Sequence, residues 1–312
     1  MLDGSLVLDM RTNPGGLLTQ GVRVSDLFLN PGQKIVSMRG RVPDANREYA
    51  DTAQQRWPQL PLLVLVDGRS ASAAEIVAGA LQDHDRAVLV GTPTYGKGSA
   101  QSVISFGPEG GLKITTARWF TPVGRSITRR IPSDDEPDDV LPPTRERFRT
   151  DGGRTVYGGG GITPDVIAGD TTAPVAEGIF IRALGANAGH FRDAVTDYAL
   201  FLKGSRGVSS PDFVVTQAMR DEVWNRMKAR GIEIPRSVYD DAEPLVSRMI
   251  GFDIARYVFG SEAEFRRRAS IDKPLQKALQ LARGAKSEHD LLKRAIEEPR
   301  APDSAAVEGG GQ

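Results

Sequence analysis

The segment from Leu60 to Gln101 has the clearest alternation of apolar and polar stretches in the chain. Leu62 to Val66 is a continuous apolar run, which is typical of a strand covered on both faces. A helix is predicted from about Ala73 to Gln82, and its apolar face would consist of Ile76, Val77, Ala80 and Leu81. Val88 to Val90 is a second short apolar run. The segment therefore predicts a β-α-β unit with parallel strands, whose helix N-terminus and second loop open at the same edge of the sheet.

Further strands are predicted on both sides of this unit from apolar or alternating runs, over Leu6–Met10, Ile35–Arg39, Val103–Phe106 and Leu112–Phe120. Gly21 to Leu29 predicts a helix that packs on the sheet, and Val42 to Trp57 predicts a polar hairpin connection. These elements together predict an α/β core with strands of mixed direction.

From Ala173 onward the spacing of apolar residues becomes helical. Helices are predicted over Glu177–Leu184, Phe191–Phe201, Asp212–Arg230, Tyr239–Phe259 and Leu275–Ile296. The final stretch is rich in proline, alanine and glycine, and we expect it to be disordered. The chain is accordingly divided into a core over 1–172, a helical region over 173–298 and a tail over 299–312.

The overall composition excludes some classes of function. The formal net charge is zero and 26% of residues are charged, so nothing favours nucleic acid, which requires a basic surface. The chain has no cysteine, which excludes disulfides and thiolate metal sites. No apolar run is long enough to span a bilayer.

Two residues at the predicted sheet edge can carry chemistry together, Ser72 at the helix start and Lys97 between two glycines. A serine hydroxyl needs a base to act as a nucleophile. His84 is poorly placed for that role, because it lies at the far end of the predicted helix. A lysine can serve if desolvation keeps its amine neutral. Gln101 could then bind the amine and fix its position.

Each of these residues also has a simpler interpretation. Ser72 can be the N-cap of the helix, the commonest use of serine at that position. Lys97 can be a solvated loop lysine, and the Asn-Pro-Gly-Gly stretch from Asn13 to Gly16 can be only a turn. The residue types alone leave both interpretations open.

Five segments between Leu6 and Val166 resemble the catalytic core of the carboxy-terminal processing peptidases: LVLDMRTNPGGLL, SASAAEIVAGALQDH, GTPTYGKGSAQ, ARWFTPVGRSI and GITPDV. The resemblance implies a mixed-sheet β-α-β core of the crotonase-like type, followed here by a helical C-terminal extension. It also implies a serine endopeptidase with a Ser-Lys dyad and no metal or cofactor.

The resemblance assigns roles to individual residues. Ser72 corresponds to the nucleophile, Lys97 to the base and Gln101 to the amide that supports the base. The backbone N–H groups of Gly16 and Ala73 correspond to the donors that stabilise the oxyanion. The substrate would be a protein or peptide, bound as an added strand and cut in or near its C-terminus. The family also implies a periplasmic or membrane-associated extracytoplasmic location, and a homodimer is a further hypothesis.

The chain departs from the family pattern in two places. Members normally carry an export signal and a PDZ domain before the strand that begins here at Leu6, so we expect a fragment or an internal start, with a natural short form as the alternative. Ile131 to Gly161 is longer than the usual connection and contains the acidic run Ser133–Asp139. That run lacks the glycine and final glutamate of a calcium-binding loop, so we expect a solvated mobile loop.

A function of a different class is a non-catalytic or inactive binding module, because retinoid-binding proteins of the eye carry related core folds. The presence of Ser72, Lys97 and Gln101 argues for the peptidase.

Overall fold

The computed structural model describes residues 4–129, 145–169 and 174–298. Within these ranges the chain forms two compact units, one from the described parts of 1–169 and 273–312 and the other from those of 170–272. The first unit contains the strands β1 (Leu6–Asp9), β2 (Lys34–Gly40), β3 (Arg47–Ala50), β4 (Leu62–Val66), β5 (Val88–Gly91), β6 (Ser99–Ser105), β7 (Gly111–Phe120), β8 (Arg147–Arg149), β9 (Thr155–Tyr157) and β10 (Val166–Ile167). The predicted α/β class is confirmed.

The predicted β-α-β unit is present. Strands β4 and β5 pair in parallel, with Leu63 opposite Val88, and the helix α2 (Ala73–Asp83) connects them. The full sheet has the order β1-β4-β5-β10, and all of its pairings are parallel. Loops that follow β1, β4 and β5 therefore meet at the carboxyl edge of this sheet.

A second, antiparallel sheet has the order β3-β2-β7-β6. Two of the predicted strands, β6 and β7, form an antiparallel hairpin in it, and β6 forms one edge of the sheet. The helix α1 (Leu18–Asp26) begins and ends about one turn before the predicted helix over Gly21–Leu29. The second sheet thus extends the core beyond the parallel strands, and the predicted mixture of strand directions is confirmed.

The side chains of β4 alternate between two apolar clusters. Leu62, Val64 and Val66 pack with α2, which covers one face of the parallel sheet. Leu63 and Leu65 pack on the opposite face against the helices α9 (Lys273–Ala282) and α10 (Glu288–Glu297). All five strand residues have no exposed surface, and burying each such side chain stabilises the fold by about 1.5–3 kcal/mol. The prediction of a strand covered on both faces is confirmed.

The structure divides the chain differently from the prediction, because α9 and α10 belong to the first unit. A single helical region over 173–298 was expected, but residues after 272 belong to the first unit because Leu281 and Leu291 cover its parallel sheet. The expected continuous helix over Leu275–Ile296 is also divided in two. Gly284 lies between the two helices, and its φ of +73° is incompatible with a continuous right-handed helix.

The second unit consists of the helices α3 (Val175–Leu184), α4 (Ala188–Ser205), α5 (Gln217–Ala229), α6 (Arg236–Asp241), α7 (Glu243–Ile254) and α8 (Ser261–Ile271). The helix α8 was not predicted, because it has no buried residue and so lacks an apolar stripe. The expected helix over Tyr239–Phe259 is interrupted at Ala242 and ends in a π-helical stretch over Ala255–Phe259. None of the described helices combines the length and apolarity that crossing a membrane requires.

Part of the segment expected to be a solvated mobile loop is instead an ordered hairpin. Strands β8 and β9 pair antiparallel, and Arg154, which precedes β9, forms ion pairs of 2.5 Å with Asp85 and Asp165. These ion pairs are mostly buried, so they fix the hairpin on the α/β unit. The acidic run Ser133–Asp139 and the predicted tail over 299–312 lie outside the described residues.

Asp51, which follows β3, predicts a specific pH dependence of stability. Burial raises the pKa of its carboxyl to about 6, and the carboxyl of Asp26 adds to this rise. Because the folded chain then binds this proton more tightly than the unfolded chain, the carboxyl stabilises the fold at about pH 4, and this contribution is lost as the pH rises through about 6. Urea unfolding between these pH values should show a smaller gain on acidification for Asp51→Asn than for the wild type. Asp44→Asn, at an exposed aspartate, is the control, and parallel curves for all three proteins would contradict the prediction.

Candidate active site

The loops that follow β1 and β4 are joined by hydrogen bonds. The hydroxyl of Ser70 donates to the carbonyl of Met10 at 2.8 Å, and the amide of Thr12 donates to the Asp67 carboxylate at 2.9 Å. The amide of Ala71 donates to the carbonyl of Asn13. These bonds hold the Asn-Pro-Gly-Gly turn beside the start of α2, as the parallel sheet predicts.

Ser72 occupies the N-cap position of α2, but its backbone is not that of an ordinary N-cap. An N-cap residue is normally extended, whereas Ser72 has φ of 57° and ψ of −119°. A positive φ at a residue other than glycine costs about 1–3 kcal/mol and persists only where surrounding contacts impose it. The N-cap interpretation therefore accounts for the position of Ser72 and leaves its conformation unexplained.

Gly15 brings the Asn-Pro-Gly-Gly turn directly against Ser72. A Cβ at this position would lie 2.5 Å from the carbonyl oxygen of Ala71 and 2.8 Å from the Cβ of Ser72. With φ of +90° as well, only glycine fits there without strain. This close approach places the neighbouring Gly16 on the loop that borders the serine. Among the described residues, the amides of Gly16 and Ala73 have no hydrogen-bond acceptor, so both remain available as donors.

Glu75 links the serine turn to the loop that carries Lys97. Its side chain is fully buried and accepts four hydrogen bonds: from the amide of Ser72 at 2.8 Å, the hydroxyl of Thr94 at 2.6 Å, the amide of Gly96 at 2.7 Å and the amide of Lys97 at 3.0 Å. No role was predicted for Glu75 from the sequence. The spacing Ser72-x-x-Glu75 is that of a capping box, which was the available signal.

A single oxygen of Glu75, Oε2, accepts from both Ser72 and Lys97. The amide nitrogens of these two residues therefore cannot be farther apart than the sum of the two hydrogen-bond lengths. The structure thus brings together the backbones of the two residues that the sequence analysis paired, although they belong to different loops.

The side chain of Lys97 is exposed, so the expectation of a dry, buried amine is wrong for this structure. The glycines on either side of it do pack closely: a Cβ on Gly96 would lie 2.7 Å from the Cβ of Arg129, and one on Gly98 would lie 2.6 Å from the hydroxyl of Thr128. These contacts involve the loop backbone and leave the lysine side chain at the surface. Close packing of the backbone is therefore not sufficient to desolvate the amine.

Gln101 lies on β6, where the pairing with β7 shifts register between Ala100 and Gln101. Its side chain is exposed and forms no hydrogen bond with any described residue. Its role as the support for Lys97 remains a prediction. His84 lies at the other end of α2, where its ring nitrogens contact the Asp151 carboxylate at 2.7 Å and the Lys34 carbonyl at 2.6 Å.

The segment that contains these loops is similar in sequence to known proteases. Residues 4–136 match the model of peptidase family S41. The match covers less than half of the chain and agrees with the resemblance of its motifs to the carboxy-terminal processing peptidases. A carboxy-terminal-processing protease from Bartonella bacilliformis is 51% identical over 121 residues, which are 39% of this chain and 28% of that protein. The chloroplastic carboxyl-terminal-processing peptidase 1 of Arabidopsis thaliana is 39% identical over 143 residues, 43% of this chain and 29% of that protein.

Among solved structures, the photosystem II D1 C-terminal processing protease aligns with 36% sequence identity and a TM-score of 0.37, over 40% of this chain and 32% of that one. The chain thus spans less than a third of the length of the curated relatives described above. The S41 match includes Gly16, Ser72, Ala73, Lys97 and Gln101, whereas the helical unit over 170–272 lies beyond it.

Within the described ranges, no group of three or more acidic or histidine side chains is arranged to hold a metal ion.

Proposed function

We propose that the protein is a serine endopeptidase in which Ser72 is the nucleophile and Lys97 the general base. The observation that carries this proposal is the Glu75 carboxylate, which binds the amides of both residues while Ser72 is held at a positive φ. Strained residues concentrate at functional sites, and a sharp turn at the start of a helix is how several hydrolases expose a nucleophilic serine. The S41 match supports the same assignment.

The reaction would proceed in two stages. The Ser72 oxygen bonds to the peptide carbonyl carbon as its proton passes to the Lys97 amine, and the resulting oxyanion accepts hydrogen bonds from the amides of Gly16 and Ala73. The C–N bond then breaks, and the Lys97 ammonium returns the proton to the departing amine. Water, deprotonated by Lys97, hydrolyses the acyl-enzyme and frees Ser72.

Because the side chain of Lys97 is exposed, the substrate itself would have to shield the amine from water. A peptide bound beside Lys97 would remove water from the amine, which favours its neutral form. Because β6 is an edge strand that begins two residues after Lys97, the peptide could pair with it as an added strand. In this arrangement Gln101, on the same strand, would support the base.

Other aspects of the family likeness extend the proposal. The substrate would be cut in or near its C-terminus, the protein would act on the periplasmic or extracytoplasmic side of a membrane, and two copies could associate as a homodimer. The chain spans only part of the length of its relatives, so these features are proposed from the likeness to those relatives alone.

Lys97→Ala tests the assignment of the base. We expect the rate of casein hydrolysis to fall by about 10²–10⁴, the usual contribution of a positioned proton acceptor. Lys113→Ala is the matched control, because Lys113 is an exposed lysine on β7 and should leave the rate unchanged. Undiminished hydrolysis by the Lys97 variant would refute the assignment.

A non-catalytic binding module is the second candidate, and the exposed side chain of Lys97 is the observation that favours it. A binding module would hold an unfolded protein without cleaving it. Binding of fluorescent casein by the wild type, with no release of peptides during prolonged incubation, would favour this function over proteolysis.

A further inference from the structure

The loop that carries Lys97 is held through its carbonyl groups by a residue outside the recognised motifs, Arg129. The Arg129 guanidinium donates from Nε to the carbonyl of Tyr95 at 3.0 Å and from Nη2 to that of Thr94 at 3.1 Å. The same Nη2 donates to the carbonyl of Gly160 at 2.5 Å. One side chain thus binds two consecutive residues of the base-bearing loop and joins them to a second loop.

The backbone of Arg129 makes a third contact with the loop that carries Lys97. Its amide donates to the carbonyl of Gly96 at 2.9 Å, the residue directly before Lys97. A Cβ on Gly96 would lie 2.7 Å from the Cβ of Arg129, so glycine is needed for the two segments to approach this closely. Three successive carbonyls, those of residues 94, 95 and 96, therefore have Arg129 as a partner.

Glu75 and Arg129 satisfy complementary groups of this loop. The carboxylate accepts from the amides of Gly96 and Lys97, and the guanidinium donates to the carbonyls just before them. A loop without regular secondary structure must find such partners individually, and hydrogen bonds to charged groups are the stronger ones. The position of the Lys97 backbone is therefore set by two charged side chains that act on different atoms.

The partners of the Arg129 guanidinium are backbone carbonyls. No carboxylate of the described residues lies within 4 Å of it. A lysine could preserve the positive charge but not the planar arrangement of donors that reaches several carbonyls at once. The geometry, and not the charge alone, is therefore what the position requires.

We propose that Arg129 is a positioning residue of the peptidase, which fixes the Lys97 loop in register with Ser72 by binding the carbonyls of residues 94–96. The inference rests on the proposed function, because positioning matters only if Lys97 is the base. Arg129 itself makes no direct contact with a reacting group. Its loss should therefore misplace Lys97 and slow the chemical step, while substrate binding stays largely unchanged.

Arg129→Gln and Arg129→Lys test this inference in the full chain. For both variants we expect kcat for casein to fall by about 10²-fold, the loss that a misplacement of about 1 Å can cause, with KM changed by less than about twofold. Amide hydrogen exchange across residues 94–98 should accelerate by about tenfold or more, while exchange in α2 beyond its first turn stays as in the wild type. Arg145→Gln is the matched control, since Arg145 lies near the same Gly160 but bonds to the Thr163 hydroxyl.

Three outcomes would overturn the inference. The first is unchanged hydrogen exchange at residues 94–98, which can be measured whether or not the chain cleaves casein. The second is accelerated exchange with an unchanged kcat in an active protein. The third is wild-type behaviour of Arg129→Lys, which would mean that charge alone suffices. If the Arg129 variants show the accelerated exchange but the wild type never cleaves casein, the proposed function is contradicted and the positioning of the loop is not. The two failures can therefore be told apart.

Discussion

Ser72→Ala is expected to abolish peptide-bond hydrolysis, with a loss in kcat on the order of 10⁶, as is usual when a nucleophilic serine is removed. The hydroxyl oxygen is the atom that would bond to the substrate, and no neighbouring group can replace it. The fold should persist, because alanine at a positive φ is strained in the same way as the serine it replaces. The predicted effect is therefore on chemistry and not on stability.

The measurement compares casein hydrolysis and thermal unfolding for the wild type, Ser72→Ala and Ser209→Ala. Ser209 is an exposed serine of the helical unit over 170–272, so its variant should retain full activity. Wild-type turnover by Ser72→Ala would remove Ser72 from the mechanism. A large fall in unfolding temperature for that variant would instead indicate that the serine has a structural role.

Glu75→Gln is expected to impair both stability and activity. The carboxylate accepts four hydrogen bonds in a fully buried site, and an amide would direct its NH₂ group at donors that need an acceptor. A hydrogen bond to a charged group contributes about 1.5–3 kcal/mol, and a buried donor left without an acceptor costs about 1–3 kcal/mol. Because a glutamine has only one acceptor oxygen, either the Ser72 and Lys97 amides or the Thr94 hydroxyl and Gly96 amide would lose their acceptor. In both cases the connection between the serine turn and the base loop would be weakened.

Urea unfolding should therefore show a lower free energy of unfolding for Glu75→Gln, and casein hydrolysis should fall even at temperatures where the variant remains folded. Glu146→Gln, at an exposed glutamate beside β8, provides the matched control. A variant with wild-type stability would show that the hydrogen bonds to Glu75 contribute little. A destabilised variant with full activity would show that Glu75 supports the fold without positioning the site.

The β4-α2-β5 unit could be predicted from sequence because its signals are local. A run of five apolar residues, a four-residue apolar helix face and a second apolar run each specify one element. The chain order then requires a parallel pairing with its loops at one edge. The proximity of the loops carrying Ser72 and Lys97 follows from this topology.

Other features depend on tertiary contacts that no local pattern records. The role of Glu75 depends on four donors from two loops. The only sequence signal for this role is the position of the glutamate, third in the helix. The exposure of Lys97 depends on how its side chain leaves a loop whose backbone is tightly packed. α8 was missed because its residues bury no continuous face. The pairing of α9 and α10 with β4 links positions more than 200 residues apart, beyond the reach of periodicity.

The return of α9 and α10 to the parallel sheet has a consequence for where this chain can be divided. The unit over 170–272 is an insertion in sequence, because the unit that precedes it is completed only by the helices that follow it. A protein ended at Gly169 would present the apolar side chains of Leu63, Leu65, Val88 and Val90 to water. The first unit therefore cannot be obtained intact by C-terminal truncation, and obtaining it alone requires excision of the insert and a new peptide connection from residue 169 to residue 273.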